Sequence, residues 1–159
     1  MSPKLGLYTR RATLGLISSI AASLATGVRA ATRPTINVWK DPNCGCCTSW
    51  VEHLRRNGLT ATAVETVDMQ AVKTRLGVPV EFASCHTAEI VGYIIEGHVP
   101  AQAITRLIAE KPDALGLAVP GMPIGSPGME GGTPETYEVI LFGKHPPLTF
   151  GRFRGDQPV

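Results

Sequence analysis

The stretch Asp41-Pro42-Asn43-Cys44-Gly45-Cys46-Cys47 places three of the chain's four cysteines within four positions. The preceding run, Ile36 to Trp39, alternates between apolar and polar residues and predicts a β-strand. After the cysteines, apolar residues recur with the spacing of one helix face, at Cys47, Trp50, Val51 and Leu54. The cysteines are therefore predicted to lie in a tight turn at the N-terminus of the first helix.

That position favours thiolates over thiols. The first backbone N–H groups of a helix have no partner within it, and the positive end of its dipole lies there as well. The thiolate is the form that binds a metal or attacks a disulfide. We therefore interpret this turn as the functional site.

Residues 1–30 have the features of a cleaved export signal. Lys4 and the pair Arg10-Arg11 give a basic start, and Ala12 to Val28 is an apolar run without an acidic residue. Val28-Arg29-Ala30 then fits a small-x-Ala cleavage site. The arginine pair resembles a twin-arginine signal, which indicates the periplasm. A membrane anchor is the alternative, but the run is short and weakly apolar.

Residues 31–159 are predicted to form a single domain. Four of the chain's 15 basic residues lie in the export segment, so 11 remain against 13 acidic residues. This balance, without a Lys/Arg cluster, argues against a nucleic-acid partner, and no membrane contact is expected after cleavage.

The order of elements predicts an α/β fold. Thr60 to Val67 is typical of a second strand, and Asp68 is suited to cap a short helix that ends before Gly77. The opening half is therefore β-α-β-α, with the cysteine turn at the end of the first strand, where open α/β sheets commonly bind ligands.

The second half begins with a predicted strand from Ile90 to Ile95. An amphipathic helix follows, with Pro100 at its first position. Pro120 to Gly132 is a long Gly/Pro loop, which is usually functional or disordered. Tyr137 to Phe142 and Leu148 to Phe153 then predict a hairpin.

The spacing of the cysteines limits which disulfides are expected to form. Bridges among Cys44, Cys46 and Cys47 are expected to be strained, and Cys85 can pair with only one of them. Two ordinary structural disulfides are therefore not predicted. Cys44 and Cys47 alone have the spacing of a thioredoxin-like redox motif. Three thiolates on one turn also suit Cu(I), zinc or an iron–sulfur cluster.

Further candidate ligands lie later in the chain. Cys85 and His86 would add a thiolate and an imidazole, and Met122 and Met129 would add thioethers, which favour Cu(I) over zinc. Each has a structural alternative: a buried small apolar residue for Cys85, a cap or core residue for His86, and core filling for the methionines.

The other histidines and the tryptophans are interpreted as structural. His98 is expected to be structural, and His53 and His145 are expected to be solvated. Trp39 and Trp50 flank the cysteine turn and are predicted to form its apolar walls.

Several motifs resemble the CopG-type periplasmic copper-resistance proteins, a family also catalogued as a domain of unknown function. They are Trp39 to Trp50, Cys85-His86-Thr87-Ala88, Glu96-Gly97-His98-Val99-Pro100-Ala101 and the loop from Pro120 to Glu130. The resemblance covers nearly all of residues 31–159. It implies a thioredoxin-like fold with a central mixed sheet and flanking helices. It also implies a copper site whose predicted ligands are Cys44, Cys46, Cys47, Cys85, His86, Met122 and Met129.

The function expected from these residues is copper handling. The chain would sequester Cu(I), as single ions or a multinuclear cluster, and would change the oxidation state of copper. Its partners would be copper ions and other periplasmic copper-handling proteins. Two alternatives stay open: a thiol–disulfide oxidoreductase that uses Cys44 and Cys47, and a structural zinc domain.

Overall fold

The opening half follows the predicted β-α-β-α order. The computed structural model describes residues 34–159. Strand β1 is Thr35–Lys40, helix α1 is Gly45–Arg56, strand β2 is Thr60–Glu65 and helix α2 is Met69–Leu76. The Asp68 carboxylate accepts a hydrogen bond from the Ala71 N–H at 2.9 Å and caps α2, as its sequence position predicted. The predicted export segment lies outside the described residues.

The second half contains two short strands before the last helix and four strands after it. A 3₁₀ turn leads into strands β3 and β4, helix α3 follows, and strands β5 to β8 complete the chain. The bounds are Val80–Phe82 for the 3₁₀ turn, His86–Ile90 (β3), Tyr93–Glu96 (β4), Ala101–Glu110 (α3), Gly116–Ala118 (β5), Thr136–Phe142 (β6), Leu148–Arg154 (β7) and Gln157–Pro158 (β8).

All eight strands belong to one mixed sheet. Their order is β2-β1-β3-β4-β5-β6-β7-β8. The pairs β1–β2 and β4–β5 are parallel and the others are antiparallel. This confirms the predicted α/β class with a mixed sheet, and β6 and β7 confirm the predicted hairpin. Among residues 34–159, none of the helices combines the length and apolar composition needed to span a bilayer.

The single strand predicted from Ile90 to Ile95 is wrong. The chain instead turns at Val91-Gly92, so that Ile90 pairs with Tyr93 in a β3–β4 hairpin. Both turn residues have positive φ, 47° for Val91 and 84° for Gly92, as a two-residue hairpin requires. A β-branched residue rarely adopts that conformation, so Val91 gave no turn signal. A smaller correction is that Pro100 lies at the N-cap position of α3, one residue before the first helical position.

The main core lies between the sheet and the helices. Helix α1 buries the face predicted from its spacing, and α3 buries Ile104 and Leu107 against the same cluster. This packing fixes the N-terminus of α1 beside the ends of β1 and β3.

Candidate metal centre

The turn before α1 is held by its own backbone and side chains. The Asp41 carboxylate accepts from the Asn43 N–H at 2.7 Å, and the Asp41 carbonyl accepts from the Cys44 N–H at 3.1 Å. Cys44 is the N-cap of α1, and its sulfur accepts from the Cys47 N–H at 3.3 Å. Sulfur thus takes the place that a Ser or Asp oxygen usually occupies at a helix N-terminus.

Cys44 and Cys47 form a disulfide, while Cys46 and Cys85 are free thiols. The turn therefore accommodates a bridge between this pair, which the sequence analysis did not predict. An N-cap residue and the residue three positions later lie on one side of the first helical turn. Their Cα atoms are 5.4 Å apart, within the range that ordinary disulfides span.

The structure brings the four cysteine sulfurs together. All four lie within 4.8 Å of one another. Cys46 Sγ is 3.4 Å from Cys44 Sγ, and Cys47 Sγ is 3.8 Å from the carbonyl oxygen of Cys85. Burial, and then the neighbouring Cys46, raise the pKa of Cys85 to about 12. Without a metal, Cys85 is therefore a thiol at neutral pH, and a bound cation would have to displace its proton.

A buried polar network holds the segment that carries Cys85. The Glu96 carboxylate accepts from the Ser84 N–H at 2.6 Å and from the Thr87 hydroxyl at 2.7 Å. It also pairs with the Lys73 ammonium group from α2. Both charged side chains are buried. Sequence reasoning missed this network, because an isolated Lys on a short helix and a Glu at a strand end are usually solvated.

His86 and His98 lie beside Cys85. Cys85 Sγ is 3.5 Å from His86 Nδ1 and 3.7 Å from His98 Nε2, and these three residues form a second group that could hold a metal ion. Burial, and then the His98 ring, lower the pKa of His86 to about 3, and burial lowers that of His98 to about 4. Both imidazoles are therefore neutral at pH 7 and have a free lone pair. His98, expected to be structural, is thus a candidate ligand as well.

Trp50 forms one wall of this region, as predicted. Its ring centroid is 4.3 Å from that of His86, and its Nε1–H donates to the Val99 carbonyl at 2.9 Å. Trp39 instead lies half-buried beneath the guanidinium group of Arg75.

The prediction for His53 is wrong. His53 is buried, and its Nε2 accepts a hydrogen bond from the Ala101 N–H at 3.1 Å, so it satisfies a free donor at the start of α3. His145 is exposed, as predicted.

The Gly/Pro loop packs against the first turn of α1. A Cβ atom on Gly128 would lie 2.6 Å from the Cys46 carbonyl oxygen, so only glycine permits this approach. Met129 follows directly and is half-buried. Met122, at the other end of the loop, is 41% exposed and has a φ of 47°. The loop thus lies against the cysteine site, with one methionine beside the contact and the other facing solvent.

The known proteins that are similar to this chain indicate its family. A family model described as "Protein of unknown function, DUF411" matches residues 82–129, which include Cys85, His86, His98 and most of the loop. Two solved structures, named copper resistance protein copG form 2 and form 1, are each 46% identical to the chain, with TM-scores of 0.71 and 0.70. Each alignment covers 76% of this chain and 98% of the relative. None of the curated proteins compared matches. The chain therefore belongs to the CopG family of copper resistance proteins.

Proposed function

We propose that this protein binds copper, chiefly Cu(I), at Cys44, Cys46, Cys47 and Cys85. The observation that carries the proposal is the convergence of four cysteine sulfurs within 4.8 Å. Thiolates are soft ligands that prefer Cu(I) to hard ions. The names of the two structural relatives support copper as the ion. Four sulfurs so close together would hold either one ion or a multinuclear cluster with bridging thiolates.

The disulfide adds a redox step to this function. With Cys44 and Cys47 bridged, two free thiols remain, Cys46 and Cys85. Two Cu(II) ions can each take one electron from the Cys44–Cys47 dithiol, which yields two Cu(I) ions, the disulfide and two protons. A dithiol reductant reopens the bridge by exchange and restores the four-sulfur site. The protein would then sequester Cu(I) and also change the oxidation state of copper.

The remaining ligands belong to the same proposal. His86 lies beside Cys85, and Met122 and Met129 lie on the loop that packs against Cys46. We include all three as ligands to copper, the methionines because thioethers favour Cu(I).

The proposed setting is the periplasm, with residues 1–30 removed and residues 31–159 acting as one thioredoxin-like domain. The strand order β2-β1-β3-β4, with β1 and β2 parallel and β3 and β4 antiparallel, supports that description. The arginine pair at Arg10-Arg11 favours the twin-arginine route, and partners would be other periplasmic copper-handling proteins.

One observation favours a second function, thiol–disulfide exchange. The Cys44–Cys47 disulfide lies at a helix N-terminus, which is also the position of the reactive disulfide in many thiol–disulfide oxidoreductases. Cys46 argues against it, because its sulfur lies 3.4 Å from Cys44 Sγ and can attack the same bridge.

Metal analysis of reduced, oxygen-free protein tests the proposal. Protein offered equal Cu(I) and Zn(II) should retain copper, and Cys46→Ser should lower the copper stoichiometry while leaving the circular dichroism spectrum unchanged. Retention of zinc with exclusion of copper would support a structural zinc domain instead. Insulin reduction that survives Cys46→Ser, with unchanged copper stoichiometry, would support the oxidoreductase.

A further inference from the structure

A cavity of about 460 Å³ lies at the C-terminal end of α1, between the helix, the Gly/Pro loop and the turn that joins β7 to β8. The polar side chains that line it are His53, Arg56 and Asn57 from the end of α1, Glu130 from the loop and Asp156 from the turn. None of the four cysteines lines it. Its volume is within the range of small-molecule sites, so it is a candidate binding site separate from the cysteine cluster.

The hydrogen bond that His53 accepts fixes its tautomer. The ring is buried, and its Nε2 lies 3.1 Å from the backbone nitrogen of Ala101. Because a backbone N–H can only donate, Nε2 carries a lone pair, and the proton of the neutral ring lies on Nδ1. Burial lowers the pKa of His53, so the ring is neutral at pH 7. His53 therefore presents an N–H donor at Nδ1.

The nearest polar atom to that donor is another donor. His53 Nδ1 is 3.3 Å from Asn57 Nδ2, and the same amide nitrogen donates to the His53 carbonyl oxygen at 2.9 Å. Turning the amide round would place its oxygen against that carbonyl oxygen, so Nδ2 keeps its position. The Nδ1–H of His53 and the second N–H of Asn57 thus find no acceptor among residues 34–159. A buried donor without an acceptor costs free energy, and an acceptor group on a ligand would remove that cost.

A third donor lies on the same face of α1. Residues 53, 56 and 57 are neighbours on the helix surface, because they are three and four positions apart. The guanidinium group of Arg56 is exposed and lies 3.9 Å from the Glu52 carboxylate, which is too far for a hydrogen bond. Its N–H groups are therefore available to a ligand. Guanidinium, amide and imidazole N–H groups together suit a carboxylate, which accepts several hydrogen bonds.

The loop and the turn contribute negative charge to the same cavity. Neither Glu130 nor Asp156 takes part in the ion pairs found among residues 34–159. Burial is the main influence on the pKa of His53, and the charges of Asp156 and Glu130 oppose it, which places both near the ring. The C-terminal end of α1 adds the negative end of the helix dipole. A simple anion would therefore be repelled here, whereas an ammonium group would be stabilised.

These residues do not suit a metal ion. The Nδ1 atom of His53 holds a proton and has no lone pair for coordination. Within residues 34–159, the groups that converge closely enough to share an ion include neither His53 nor the two carboxylates.

We propose that this cavity binds a small zwitterion of the α-amino acid class. Its carboxylate accepts hydrogen bonds from the His53 Nδ1–H, the Asn57 amide and the Arg56 guanidinium group. Its ammonium group pairs with the Glu130 and Asp156 carboxylates. An amino acid carries both charges in one small molecule, so it satisfies the donors and the acidic residues together. The site does not depend on copper.

The test measures binding of amino acids to the metal-free protein at pH 7. The proteinogenic L-amino acids are screened by thermal shift, and the one that binds most tightly is compared by calorimetry with two of its derivatives. Its amide lacks the carboxylate, and its N-acetyl form lacks the ammonium group. Each derivative should bind at least about tenfold more weakly, because each loses charge-assisted contacts. The NMR signal of the His53 Nδ1–H should shift on binding, because this proton gains an acceptor.

Two variants assign the contacts. Arg56→Gln should weaken binding of the amino acid about tenfold and reduce its advantage over the amide. Asp156→Asn combined with Glu130→Gln should likewise reduce its advantage over the N-acetyl derivative. All three side chains are exposed, so both variants should fold like the wild type. Arg152→Gln and Glu138→Gln, which disrupt an exposed ion pair outside the cavity, are the matched controls and should bind like the wild type.

The outcomes decide the proposal without reference to copper. Absence of binding by every amino acid would overturn it, and so would equal affinities for the amino acid and both derivatives. Equal binding by the wild type and the two cavity variants would place the ligand elsewhere and would also overturn it. If a cavity variant fails to fold by circular dichroism, the derivatives and the His53 signal of the wild type decide the result. Because the protein is metal-free throughout, none of these results bears on the four-sulfur proposal.

Discussion

The Lys73 ammonium group and the Glu96 carboxylate form an ion pair in the interior, next to the segment that carries Cys85. Glu96 also accepts from the Ser84 N–H, one residue before the cysteine. The pair therefore links α2 to the loop that delivers the fourth sulfur. Because both charges are buried, each depends on the other for compensation.

We predict that Lys73→Met destabilises the metal-free protein by about 3–5 kcal/mol, because it leaves the Glu96 carboxylate buried without its counter-charge. Urea unfolding followed by circular dichroism measures the loss. Lys144→Met is the matched control, since the Lys144–Asp113 pair is exposed and should have no measurable effect. Equal stability of the two variants would show that the buried pair does not support the fold.

We predict that Gly128→Ala moves the loop away from α1. The new Cβ would lie 2.6 Å from the Cys46 carbonyl oxygen and 3.0 Å from the backbone nitrogen of Trp50, at a position where φ is 93°. Gly121→Ala is the matched control, because its φ is 77° but no atom lies within 4 Å of the added carbon. Both variants carry the cost of positive φ, about 1–2 kcal/mol.

Only Gly128→Ala should add a steric cost, and it should also speed copper loss to a chelator. Thermal unfolding and stopped-flow release measure the two effects. Identical behaviour of the two variants would mean that the loop contact does not protect the site.

The buried histidines predict a pH dependence for the metal-free protein. The folded-state pKa of His86 is about 3, against an ordinary value of 6.5. Between these values the unfolded chain binds more protons, so stability falls as pH falls from about 6.5 towards 3. His86→Gln cannot protonate and should show a shallower decline in that window, measured by urea unfolding at several pH values. A slope equal to that of the wild type would contradict the assignment of this dependence to His86.

Much of the site could be predicted because it is local in sequence. The spacing of Cys47, Trp50 and Leu54 predicted α1, and the short spacing of the cysteines predicted a sulfur-rich turn. His98 could not be assigned in this way, because its contact with Cys85 depends on how β3 and β4 pair. That pairing could not be predicted, because the turn between the two strands contains Val91, whose side chain disfavours the positive φ that it adopts.

The Lys73–Glu96 pair was missed for a related reason. The two residues are 23 positions apart and lie on different elements, so no periodic pattern connects them. Strand β5 was missed because it has three residues and is defined by its neighbours β4 and β6 rather than by its own composition.

The two loop methionines give the last prediction. Met122 is 41% exposed and has a φ of 47°, a conformation that costs free energy for any residue other than glycine. Met129 follows Gly128 at the contact with Cys46. Thioethers on such a loop can close over Cu(I) without being needed for the core. We therefore expect Met122→Ala combined with Met129→Ala to speed copper loss to a chelator and to leave the circular dichroism spectrum unchanged.

Two matched variants separate the thioether from the apolar side chain. Met122→Leu combined with Met129→Leu keeps the volume but removes both sulfurs, and it should release copper as fast as the double alanine variant. Ile124→Ala removes an equally exposed apolar side chain from the same loop and should release copper at the wild-type rate. If the leucine pair keeps the wild-type rate, the methionines act as an apolar cover and are not ligands. If Ile124→Ala releases copper as fast as the alanine pair, the effect belongs to the loop as a whole, because copper loss would then follow its packing and not its sulfur atoms.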